Sequence, residues 1–66
     1  MTKAIDTAAK RALRIFRTHG KKAANRFVGE EALFLNDYKV NKKTHDIVAQ
    51  IEAAIVIEAS LEAMSA

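Results

Sequence analysis

Apolar positions recur in three segments of this chain, and their spacing is that of helices. The longest segment runs from Thr44 to Met64, THDIVAQIEAAIVIEASLEAM, with neither Gly nor Pro. At about 100° of rotation per residue, Ile47, Val48, Ile51, Ala54 and Ile55 share one face, three and four positions apart. Val56 and Ile57 fall outside that stripe, so the middle of the segment is apolar nearly all round. Such a helix is buried on more than one side or spans a membrane. Glu52, Glu58 and Glu62 break the run, leaving no stretch of some 18 uncharged apolar residues, so no membrane span is expected. Ile and Val between positions 47 and 57 also suit a strand. The length of the pattern and its spaced alanines select the helix. Thr44 is the expected N-cap, its hydroxyl accepting from a free first-turn N–H, and Asp46 suits the positive end of the dipole.

Ahead of it, Ile5, Ala8, Ala9, Ala12, Leu13 and Phe16 follow the same periodicity and predict a helix over 2–18. Gly20 is placed to end it in the left-handed conformation. His19, just before that glycine, suits the negative end of the dipole. A second helix over 21–35 turns Ala24, Phe27 and Val28 inward, with a kink expected near Gly29. Residues 30–41, EEALFLNDYKVN, admit two forms. One is a continued helix and a loop. The other is a small hairpin, LFL and YKV about Asn36-Asp37, which is weaker because Asn-Asp is a poorer hairpin signal than Asn-Gly and an isolated hairpin is marginal. The pattern thus predicts an all-α, three-helix single domain over 1–66, with helices over 2–18, 21–35 and 43–64. The third helix is its spine.

Composition sharpens this picture. A chain of 66 residues without Cys has neither disulfides nor thiolate ligands to supplement a small core. Much of its apolar content is Ala, which fills little volume. Self-association is the expected further source of stability, and a twofold homodimer is its commonest form. The all-round apolar run places that protein interface at Ile51, Ile55, Val56, Ile57 and Leu61. The lack of a signal-like apolar block near the N-terminus and of cysteines leads us to expect a cytoplasmic protein.

Charge is divided unevenly. Residues 1–28 carry Lys3, Lys10, Arg11, Arg14, Arg17, Lys21, Lys22 and Arg26 against Asp6, eight cations to one acid, or +7. Residues 29–66 carry three lysines against seven acids, or −4. Lys3, Lys10, Arg14 and Arg17 share a helical face flanked by Arg11, and the other three follow closely. Such a row can track a phosphate backbone, releasing counterions without reading sequence. The competing account is a solvated face that balances the acidic half of the chain. Glu58 and Glu62, four apart, belong to that balance. Either the last two turns emerge into solvent, or these carboxylates meet first-helix arginines, or they form part of a metal site. The metal site is weakest, because a ferritin-like centre needs Glu-x-x-His partners.

Enzymatic chemistry finds little support. Two glycines build neither a P-loop nor a dinucleotide fingerprint, and no Ser–His pairing is indicated. His45 beside Asp46 is a lone pair of low specificity. No metal and no cofactor are expected. A helix-turn-helix about Gly20 would put Lys21, Lys22, Asn25 and Arg26 on a reading helix. His19 and Lys21, however, stand where an apolar residue should join the two helices. The segment KVNKKTHDIV offers a second basic helix start, which could hold a phosphate on its backbone N–H groups. The chain is expected to be a small non-enzymatic regulatory protein that binds nucleic acid through its basic N-terminal helices. The alternative is a protein-binding inhibitor or adaptor that docks through the apolar C-terminal helix.

Overall fold

The computed structural model describes Lys3–Ser65 and consists of three helices: α1 (Lys3–His19), α2 (Lys21–Leu35) and α3 (Lys42–Ser65). Each packs on the other two, and no strand occurs among the described residues. The all-α expectation therefore holds, with observed helix ends within a residue or two of the expected ones. Thr2, the expected start of the first helix, lies outside the described residues. The hairpin alternative does not form. α2 runs through Gly29 without interruption to Leu35, and residues 36–41 make the connection to α3.

The apolar stripe of α1 is buried as expected at Ile5, Ala8, Ala9, Ala12 and Leu13. Opposite it stand Ala24, Val28 and Ala32 of α2 and Ile47, Ile51 and Ala54 of α3. Six of these eleven buried residues are alanines, so the helices meet closely and the core holds few large side chains. Phe16 departs from expectation. It is 51% exposed, at the end of the stripe, where it borders open grooves between α1, the start of α2 and α3. Periodicity places Phe16 on the inner face, but three short helices do not cover that face to its end.

Gly20 alone joins α1 to α2. Its N–H donates to the Phe16 carbonyl at 3.0 Å and its own carbonyl accepts from Ala24 N–H at 3.2 Å. Its φ of 93° is positive as expected, but ψ is 178°, so it is extended rather than left-handed helical. That region is open essentially to glycine alone.

The α2–α3 connection is held by side chains whose part the sequence pattern did not reveal. α2 ends in two crossed backbone bonds, Tyr38 N–H to the Leu33 carbonyl (2.6 Å) and Asp37 N–H to the Phe34 carbonyl (3.3 Å). This is a Schellman closure, but the left-handed position that glycine usually fills is held by Asp37, with Tyr38 also at positive φ. The Tyr38 ring meets Phe34 edge to face at 6.1 Å, which offsets part of the torsional cost. Asn36 and Thr44 are buried. The Asn36 amide donates to the Lys39 carbonyl, Asn41 Oδ1 and Thr44 Oγ1 at 2.9–3.0 Å.

Thr44 is not the N-cap. Asn41 holds that position: its Oδ1 accepts from Thr44 N–H at 3.3 Å, and its own N–H donates to Thr44 Oγ1 at 3.2 Å. The pair forms a reciprocal capping box with Thr in the place usually taken by Glu. Thr44 Oγ1 in turn donates to the Lys39 carbonyl.

Candidate nucleic-acid interface

All eight cations of residues 1–28 are exposed, but they do not form one continuous face. Helical spacing sets Lys10, Arg14 and Arg17 in a row on α1, and α3 passes beside that row. The three line a cleft of about 420 Å³ whose opposite wall carries Glu58 and Glu62. Arg17 forms an ion pair with Glu62, the one salt bridge among the described residues. Of the three accounts of this carboxylate pair, two are met at Glu62: residues 60–65 are exposed, and on that exposed surface Glu62 meets a first-helix arginine of its own chain. No group of three or more His, Cys, Asp or Glu able to hold a metal occurs among the described residues.

A second basic concavity forms because the α1–α2 link is a single residue. The last turn of α1 and the first turns of α2 are brought together, so His19, Lys22, Ala23 and Arg26 line an open depression of about 510 Å³. No carboxylate lines it. Thr18 Oγ1 donates to the Arg14 carbonyl at 3.0 Å and lies 2.7 Å from His19 Nδ1. Helix α2 begins without a side-chain cap and with no acid in its first turn. Lys21 and Lys22 instead stand at the positive end of its dipole, where a cation is disfavoured.

The remaining expected contacts scatter. Lys21 borders an apolar groove, while Lys3 and Arg11 are exposed and line neither basic concavity. The grouping of His19 with Lys22 and Arg26 escaped the sequence reading, which had placed His19 only as a helix-end residue. The signal was nonetheless present: two lysines follow the linking glycine, where an acid would favour the helix.

The five residues expected at a protein interface divide as well. Ile51 is 0% exposed, in the chain's own core, and has no side-chain surface to offer a partner. Ile55 is half-buried against that core. Val56, Ile57 and Leu61 are exposed. With Ile55, Ala59, Ala63 and Phe16, Val56 borders a shallow apolar groove of about 470 Å³. None of the helices is long and apolar enough to cross a membrane, among the described residues. No protein-family model, curated protein or solved structure matches the chain.

Proposed function

We propose that the chain is a small non-enzymatic regulatory protein that binds nucleic acid through its basic N-terminal helices, acting as a homodimer. The observation that carries this reading is the concentration of positive charge at the α1–α2 junction. Lys21 and Lys22 crowd the positive end of the uncapped α2, and Lys22, Arg26 and His19 surround a depression without carboxylates. In the free protein this arrangement is unfavourable, and a phosphate seated there would relieve it while accepting from first-turn N–H groups. The cleft at Lys10, Arg14 and Arg17 is the lesser contact, because Glu58 and Glu62 already oppose it.

The test is titration of a labelled random-sequence duplex at several salt concentrations. Neutralising three or four phosphates gives a log–log salt slope of about −3. Lys22→Glu with Arg26→Glu should abolish binding, and Lys10→Glu with Arg14→Glu should weaken it less. No binding at low salt, or binding indifferent to salt, overturns the proposal. The protein-binding alternative is supported by the exposed Val56, Ile57 and Leu61 on α3. Docking there would be nearly independent of salt and would be lost in Ile57→Asp.

A further inference from the structure

Helix α3 outlasts the core it helps to form. Its last buried residue is Ala54, yet it continues for about three further turns to Ser65. None of residues 55–65 is buried, and residues 60–65 are all exposed. Beside Phe16, the space between α1 and this end of α3 is an open groove of about 470 Å³. A segment with so few buried apolar contacts opens locally with a small free energy.

What this end of α3 carries toward α1 is charge. Glu58 and Glu62 stand four residues apart, about 6 Å along the axis, and line one cleft with Lys10, Arg14 and Arg17. Arg17 is paired with Glu62, and both side chains of the pair are about half exposed. Lys10 and Arg14 are in no salt bridge among the described residues, and Glu58 shares the cleft with them.

We infer that the C-terminal turns of α3 are an autoinhibitory arm: Glu58 and Glu62 occupy the cation row of α1 in the place of phosphates, and nucleic acid must displace them to use it. The inference rests on the nucleic-acid reading above and adds a regulation to it. Carboxylate and phosphate are interchangeable partners for a guanidinium, which meets either with the same fork of N–H donors. An exposed pair of this kind is weak, favouring the closed arm by a factor of about five at most, so a polyanion can exchange for it. Two acids also leave one cation of the row in excess, so the mask is partial and the cleft keeps its attraction for a phosphate. The depression of His19, Lys22 and Arg26 has no carboxylate in its lining. Phosphates therefore engage there first, and reach the row of α1 as the arm gives way.

Titration of a labelled random-sequence duplex into the full chain tests this, with Glu58→Gln and Glu62→Gln combined. Binding at low salt should tighten about five-fold. The log–log salt slope should steepen by about 0.9, as Arg17 takes up one more phosphate. Glu30→Gln with Glu31→Gln is the control for net charge. Those acids line a groove on α2 that shares no residue with the cleft, and they are in no salt bridge among the described residues. Arg17→Gln then asks whether the arm acts through this cation. It should cost less affinity in the parent, where Glu62 already holds Arg17, than in the chain with Glu58→Gln and Glu62→Gln. None of the substituted residues is buried, so far-UV circular dichroism should match the parent, and Glu62→Gln alone repeats the test at the fully exposed end of the pair. Equal tightening by the two acid pairs is an effect of net charge and overturns the arm. An equal cost of Arg17→Gln in both backgrounds overturns it too, and in either case the nucleic-acid reading stands. No binding at low salt by the parent or by any variant overturns both.

Discussion

The two glycines offer a test in which one substitution has opposite signs at two sites. Gly20 and Gly29 both have open space where a Cβ would be added, with no atom within 4 Å. Packing is therefore neutral at both positions, and backbone conformation alone sets the outcome. Gly29 lies inside α2 and has no positive φ, so Gly29→Ala removes unfolded-state freedom and improves helix propensity by about 0.5–1 kcal/mol. Gly20 has φ 93° and ψ 178°, a conformation that strains an L-residue by about 1–3 kcal/mol. For 66 residues the unfolding entropy is about 0.14 kcal/mol/K, so 1 kcal/mol moves Tm by about 7 °C. Gly29→Ala should raise Tm by about 4–7 °C and Gly20→Ala should lower it by at least about 7 °C. Both are read by thermal circular dichroism at matched protein concentration, because an oligomer's Tm depends on it. A d-alanine at position 20, introduced by chemical synthesis, tolerates positive φ and should restore the parent value. If Gly20→Ala melts with the parent, the single-residue link between α1 and α2 is not in the conformation described, and the convergence of His19, Lys22 and Arg26 loses its basis.

Two further substitutions probe the junction and the loop. Lys22→Glu should stabilise the free protein by about 0.3–1 kcal/mol, through the dipole of α2, while weakening duplex binding. A change that destabilises the chain, or leaves binding intact, removes the case for an anion at that helix start. Asn36→Ala strips three acceptors of their buried donor and should cost about 1–3 kcal/mol in urea unfolding, whereas Asn41→Ala, at the exposed cap, should cost about 1 kcal/mol. Equal losses at the two positions would mean that the amide of Asn36 is not the centre of the loop.

Helix positions were legible in the sequence because each helix has a stripe to bury and periodicity reports that directly. The extent of burial was not. The stripe of α1 ends at Phe16 by spacing, but the inner face is closed by alanines as far as Leu13 and lies open beyond. Periodicity carries direction and no information on how far a neighbouring helix reaches. The polar errors share a different cause. Thr44 and Asn41 are both capping residues, three apart, and only the reciprocal bonds decide which is the cap. Asn36 reads as a turn residue by type, yet its amide is the buried centre of the loop, a role that depends on three groups brought together by folding.

The apolar count misleads in a more consequential way. Half the residues are hydrophobic, which suggests an ample core, but among the described residues six of the eleven buried apolar positions are alanine, and eight large hydrophobic residues, Phe16 and Ile57 among them, stand exposed. Alanine interiors let helices approach closely and bury little area per residue, so apolar burial within one chain is small. The same small-residue economy on the outer side of α3, at Ala49, Ala53 and Ser60, lets another helix come equally close there. One sequence habit thus accounts for both the thin core and the small-residue outer side of α3. Lys21 lines a groove together with Val56, so an apolar contact over Val56 would reach one cation of the α1–α2 junction, whereas the depression of His19, Lys22 and Arg26 shares no lining residue with that groove.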